Sequence, residues 1–352
     1  MFDIITFGSA TQDIIVKPKH LTSLKYEKSF SEKEVCFPMG SKIDVDQMDF
    51  YSGGGGTNAA ATFTLQGFKT AFCGAMGIDV SGKKILSELK KLKINTSFVR
   101  LTKEKLTNHS VIISNDGQDR TIFAYRGAAE SLKKEDIPWS KLKTKWIYLA
   151  PLSGLLCLPA GRRATTPFED LVEFAKKNNI KIAANPGIAQ LSLPNFSEIA
   201  KKIDILVLNQ EEASFLTKIP LYGEQETRSP FQEGVRSSTQ KDLSALVFKK
   251  INEICNGISV MTKGGEGVVV SDGKYIYYAK PPIDRKVVDT TGAGDSFGSG
   301  FVAEFIRSGN VESSIQFAMA NSVGNLSKVG AKTGLLKKGQ KFEKVEVVKE
   351  SI

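Results

Sequence analysis

Short, continuously apolar runs alternate with longer amphipathic stretches along most of the chain. DIITFG (3–8), TAFCGAM (70–76), WIYLAPL (146–152), KIAANPG (181–187) and the start of DILVLNQEEASFL (204–216) have strand length and few polar interruptions. That pattern suits strands buried on both faces. Between them, GIDVSGKKILSELKKL (77–92), PFEDLVEFAKKNN (167–179) and SEIAKKI (197–203) place apolar residues at helical intervals. GISVMTKGGEGVVVSDG (257–273) reads as a further strand region and VESSIQFAMANSVGNLSKVG (311–330) as a final helix. Strand–helix alternation predicts βαβ units, hence an α/β fold with a mainly parallel sheet.

A second pattern interrupts the first. The run IIV behind Asp13, the segment 45–50, HSVIISNDG (109–117) and QDRTIFAYRGAA (118–129) are short and β-rich, and Asn115-Asp116-Gly117 is a hairpin signal. They predict a small separate sheet built from about 10–51 and 106–127. Residues 221–242 are polar and rich in Gly, Ser, Gln and Glu, and read as a surface insertion.

Composition narrows the function classes. The net charge is +10 over 352 residues, and many lysines fall on the polar faces of helix-like segments. No aromatic–basic motif accompanies them, so nucleic-acid binding is not expected, whereas an anionic substrate such as a nucleotide suits a basic surface. No apolar run reaches the roughly 18 residues of a membrane span. The start MFDIITFGSATQDIIV has neither a basic region nor a small-residue cleavage site, so it does not read as a signal peptide. Cys36, Cys73, Cys157 and Cys255 are scattered without metal-like spacing, which predicts reduced thiols in a cytoplasmic protein. Two histidines leave little for His-based chemistry.

The candidate chemistry centres on VVDTTGAGDSFGSGFVAEF (287–305). Gly292 and Gly294 allow a sharp turn, and Phe297, Phe301, Val302 and Phe305 then recur at helical spacing. A helix opening on Gly-Ala-Gly presents bare N–H groups and a positive dipole end to an anion. Asp295 beside that site is a candidate general base; its alternative role is a helix cap. In SGGGGTNAAATFTLQGF (52–68), Thr57 reads as the cap of a helix ending at Gly67, and Asn58 offers a donor and an acceptor to a hydroxylated ligand.

Five blocks, GSATQD, GGGGTNAA, LNQEEA, MTKGGEG and DTTGAGDSF, occur in the order found in the ribokinase-like (PfkB) sugar and nucleoside kinases, which the chain resembles over nearly its whole length. The resemblance implies one three-layer α/β/α domain over 1–352 with a β-sheet lid. It implies an ATP-dependent kinase whose general base is Asp295 and whose anion hole is formed by Gly292, Ala293 and Gly294. By the same resemblance, Asp13, Gly54 and Asn58 bind the acceptor. Asn209 and Glu212 organise Mg2+ and its waters around the phosphates, and Thr262, Gly265, Gly267 and Asn321 lie on the nucleotide side. Arg126 follows a lid-like strand, as in several sugar and sugar-acid kinases; it binds an anionic acceptor group or is a solvated strand-end arginine. Asp289, Thr291, Asn325, Lys328 and Gly330 match carbonyls that ring K+ in some relatives, with Gly334 where some add a side-chain oxygen. APLSG (150–154) lacks the glutamate that ribokinases carry after the central strand. A sugar acceptor is preferred over a nucleoside, a catalytically silent binding protein is the remaining class, and a homodimer through the lid is the assembly to test.

Overall fold

The computed structural model describes residues 1–19, 22–24, 34–113, 121–152, 167–220 and 240–352. The Asn115–Gly117 turn, Cys157, the end of APLSG and nearly all of the 221–242 insertion lie outside the described residues. In chain order the first strands are β1 (Phe2–Phe7), β2 (Thr11–Pro18), β3 (Thr22–Leu24), β4 (Glu34–Cys36), β5 (Val45–Gly53), β6 (Thr70–Gly77), β7 (Asn95–Thr102) and β8 (Asn108–Ile113). The remainder are β9 (Thr121–Tyr125), β10 (Thr144–Leu149), β11 (Lys181–Ala184), β12 (Ile205–Asn209), β13 (Ile258–Thr262), β14 (Val268–Ser271), β15 (Tyr275–Ala279) and β16 (Val347–Ser351). The helices are α1 (Gly55–Leu65), α2 (Val80–Lys91), α3 (Phe168–Lys177), α4 (Ile188–Leu191), α5 (Phe196–Ala200), α6 (Gln210–Thr217), α7 (Gln240–Ile254), α8 (Ala293–Ser308) and α9 (Val311–Leu326).

One sheet carries the order β16-β15-β14-β13-β12-β11-β10-β1-β6-β7. From β7 to β13 the neighbours run parallel; β14, β15 and β16 extend the edge antiparallel. The central strands are largely apolar because both of their faces are covered. On β10, Ile147 and Leu149 pack with Phe168, Leu171, Ala213 and Val247 from α3, α6 and α7. Tyr148, between them, faces Phe63, Phe297 and Phe301 from α1 and α8 on the opposite side. Each such large side chain stabilises the fold by about 1.5–3 kcal/mol when removed from water. The result is an α/β/α sandwich whose strand ends at Phe7, Asn209 and Thr262 share one edge, where open α/β sheets place their ligands.

A separate four-stranded sheet has the order β5-β2-β8-β9, and a short β3–β4 pair stands apart. Within the small sheet β2 runs antiparallel to β5 and parallel to β8.

Several local expectations change. The 257–273 run is a hairpin, β13 to β14, turned at the 3-10 segment Gly264–Glu266 with Gly267 at φ 107°. The strands β7, β15 and β16 carry too few consecutive apolar residues to stand out from the sequence; all three lie toward sheet edges. Thr57 is not the cap of α1. Gly54 holds that position, and the Thr57 hydroxyl instead donates to the carbonyl of Gly53 at 2.7 Å from inside the first turn. The predicted stop at Gly67 is present, in the left-handed region at φ 85°.

Candidate active site

The strand-to-helix turn at 289–295 is shaped by its glycine. Gly292 adopts φ 78° as the N-cap of α8, and a Cβ there would press on Ala331. Asp295 is the third helical residue and makes no capping bond; its Oδ2 accepts from the Asn58 amide Nδ2 at 2.8 Å. The carboxylate is thereby turned away from the helix end and toward α1. The first-turn N–H groups have no partner within the helix; that of Ala293 is shared with the Thr290 carbonyl at 3.3 Å. Burial pushes the Asp295 carboxyl up, opposed by the Asn58 hydrogen bond and the charge of Lys332.

Asp13 and Asn58 lie on the same side. Both are buried, at 6% and 4% exposure, and Asn58 Oδ1 has no hydrogen-bond partner. A buried carbonyl oxygen without a donor is the acceptor a ligand hydroxyl would satisfy. Asp13 packs against Gly53, where any Cβ would overlap its carboxylate. Burial pushes Asp13 up to about 6, Lys332 and a Ser110 hydrogen bond act against this, and Asp289 and Asp295 reinforce it. Gly54 turns the chain at φ 96° between β5 and α1. Arg126 is exposed beyond the end of β9, and no hydrogen bond or ion pair among the described residues joins it to Asp295.

Lys332 was not singled out by the sequence. Its side chain is 5% exposed and lies 3.5 Å from the Glu88 carboxylate. Its Nζ donates to Ser52 Oγ at 2.6 Å, and the Ser52 hydroxyl donates to Glu88.

Across α8 lies a cavity of about 350 Å3 whose wall includes Thr262, Gly265, Gly267, Arg285, Phe297 and Met319. Ala293 and Gly294 also line it, so the helix N-terminus faces this space. The Arg285 guanidinium donates to the Pro282 carbonyl at 3.0 Å and the Gly265 carbonyl at 3.4 Å. Asn321 lies behind the wall. It is fully buried, donates to the Ser296 carbonyl at 2.8 Å and accepts from the Leu336 N–H at 2.9 Å. Its amide ties α9 to α8 and to the C-terminal loop, and it is absent from the cavity lining.

Asn209 and Glu212 form a reciprocal capping box on α6, each side chain accepting the other's N–H at 2.8 Å. Burial, with Glu211 and Asp295 adding repulsion, pushes Glu212 up to about 7 despite its backbone hydrogen bond. A half-buried carboxylate repelled by two others fits a hydrated divalent cation. Among the described residues no three His, Cys, Asp or Glu side chains gather as a metal cage. An ion here would keep most of its waters, as Mg2+ prefers.

Of the carbonyls matched to a K+ ring, those of Gly330 and Asn325 accept hydrogen bonds from the protein, while the Asn325 side-chain oxygen is buried without a partner. The Gly330 carbonyl already accepts from Asn325 Nδ2 at 3.1 Å, Thr333 N at 3.2 Å and Thr333 Oγ1 at 2.6 Å. The Asn325 carbonyl accepts from the Lys328 N–H at 3.1 Å. The Asp289 carboxylate is taken by Thr291 N and Oγ1 at 2.9 and 2.7 Å and by Gly330 N at 2.8 Å.

Comparison with known proteins gives a consistent picture. A family model described as pfkB family carbohydrate kinase matches residues 21–338. A ribokinase of Haemophilus influenzae is 26% identical over 297 residues, 84% of this chain and 87% of that protein. An adenosine kinase of Schizosaccharomyces pombe is 25% identical, covering 73% of this chain and 74% of its own length. Among solved structures, Arabidopsis thaliana ribokinase complexed with ribose and ATP superposes with TM-score 0.71 at 22% identity, over 96% of both chains. At such identity the likeness concerns the fold.

Proposed function

Because the chain belongs to the pfkB family of carbohydrate kinases, we propose that it transfers the γ-phosphate of ATP to a hydroxyl of a small sugar or sugar derivative. The observation that carries this reading is the Asp295–Asn58 hydrogen bond at the foot of α8. It sets the Asp295 carboxylate beside an amide oxygen that has no donor, next to the first turn of α8. In the proposed step Asp295 accepts the acceptor's hydroxyl proton. The oxygen attacks the γ-phosphorus in line, the bond to the β–γ bridging oxygen breaks, and ADP leaves with that electron pair. The N–H groups of 292–295 receive the developing negative charge. Magnesium, when bound, would neutralise phosphate charge, with Glu212 holding its waters. Asp13 and Asn58 would orient the acceptor, and Thr262, Gly265 and Gly267 would shape the nucleotide side.

The small sheet stands as the proposed lid, and its exposed Met48, Phe50, Ile122, Phe123 and Tyr125 support pairing of two copies through it. No helix among the described residues is long and apolar enough to cross a membrane.

The experiment is ATP turnover against a panel of neutral sugars, sugar acids, sugar phosphates and nucleosides. Acceptor-dependent ADP release with a sugar supports the reading. Release only with nucleosides moves it to a nucleoside kinase, the class of the Schizosaccharomyces pombe relative. No release with any acceptor makes the chain a binding protein.

A further inference from the structure

We propose that Lys332 is a positioning residue for the acceptor. It ties the end of β5 to α2, fixing the turn that receives the acceptor. The inference deepens the kinase reading above and rests on it.

Four observations converge. The Lys332 ammonium is nearly sealed from water and donates to Ser52, two residues before the turn at Gly54. Ser52 lies opposite Gln12 in the β2–β5 pairing, one step from Asp13. Gln12 Nε2 in turn donates to the Tyr51 carbonyl at 2.6 Å. The loop that carries Lys332 packs on the same strand, since Gly330 lies so close to the Tyr51 ring that a Cβ would come within 2.6 Å of it.

The charges explain why a lysine is tolerated there. Burial lowers its pKa, and the carboxylates of Glu88, Asp13 and Asp295 act to keep it charged. Glu88 on α2 is its direct partner at 3.5 Å, the charges of Asp13 and Asp295 act on it from further off, and Asp289 acts on Asp13. Removing the ammonium leaves like charges crowded in a desolvated cleft, where an unpaired buried charge is strongly unfavourable. An ion pair serving the fold alone would need only Glu88; the hydrogen bond to Ser52, paired across the strands with the neighbour of Asp13, sets Lys332 against the strand that leads into the acceptor turn.

The test compares Lys332→Met, Lys332→Arg, Ser52→Ala and the double variant Lys332→Met/Glu88→Gln, which removes both members of the ion pair and so protects the fold. Thermal melts accompany kcat and separate KM values for ATP and for the acceptor found by the panel. The double variant should show an acceptor KM raised about tenfold or more with a lowered kcat, and an ATP KM within about twofold. Arginine should recover most of the loss, and Ser52→Ala should raise acceptor KM severalfold with a normal melt. A double variant with wild-type acceptor KM and kcat, or one whose ATP KM rises equally, overturns the proposal. Should the methionine variants not fold, an unchanged acceptor KM in Ser52→Ala overturns it. A wild type that turns over no acceptor fails differently: the kinase reading falls first and this inference with it.

Discussion

The proposed acceptor and nucleotide sides meet at α8 and are built on opposite principles. On the proposed acceptor side, Asp13, Ser52 and Asn58 are buried polar residues, with a Ser52–Glu88–Lys332 cluster on one flank and the Asn58–Asp295 hydrogen bond on the other. On the nucleotide side the wall is largely apolar or glycine, with Pro281, Val287, Phe297, Met319 and Leu326, and Arg285 is its one charged residue. The first side positions by direction and charge, so a one-atom change is felt strongly. The second works by shape, and volume-conserving changes there are absorbed.

The comparison is most easily broken at Gly53. A methyl group there must displace the Asp13 carboxylate. Gly53→Ala should lower kcat/KM for the acceptor by about a hundredfold, the scale of a 1 Å misplacement, while equilibrium ATP binding is kept. Equal loss of both affinities would show that the sides are not separate. Glu212→Gln comes next. Gln also satisfies a capping box, so α6 should keep its stability. Turnover at limiting magnesium should fall by about tenfold and the magnesium requirement rise; an unaltered requirement returns Glu212 to helix capping alone.

Asp13 allows the charge argument to be read as stability. Its pKa rises from 3.8 to about 6 on folding. A raised folded pKa means stabilisation that is complete below pH 3.8 and lost as pH climbs through 6. The loss is on the order of 3 kcal/mol. Asp13→Asn should therefore melt above wild type at pH 8, with the gap closing toward pH 4. A shallower slope should persist in the variant up to pH 7, from Glu212, which is shifted in the same direction. A gap that does not depend on pH would contradict the burial of this charge. The smallest effect belongs to the nucleotide side: Met319→Leu should change the ATP KM by less than about threefold, and a large change would show that shape there is more exacting than described.

The sandwich was legible because its parallel strands are apolar on both faces, as Ile147, Tyr148 and Leu149 show by facing opposite cores. The glycine turn and the carboxylate at 295 were legible for a local reason: the chain turns and starts a helix within a few residues. Capping roles were harder. Thr57 and Asp295 both have cap chemistry, and only the left-handed glycines at 54 and 292 decide that neither is a cap. Asn321 shows the same limit, since a polar residue in a helix gives no sign of whether it faces a ligand or ties helices together. Lys332 was illegible because its partners lie far away in sequence, at 52 and 88. Within AKTG it looks like any surface lysine.

The central claim is that Asp295 acts as a base. Asp295→Asn keeps the size of the side chain and leaves an amide facing Asn58. The account predicts acceptor-dependent turnover lowered by about a hundredfold or more, with ATP affinity kept and a melt at or above that of wild type. The gain in stability is expected because burial already disfavours the charge at this position. A purified Asn variant that melts normally and phosphorylates the acceptor at near the wild-type rate would contradict it.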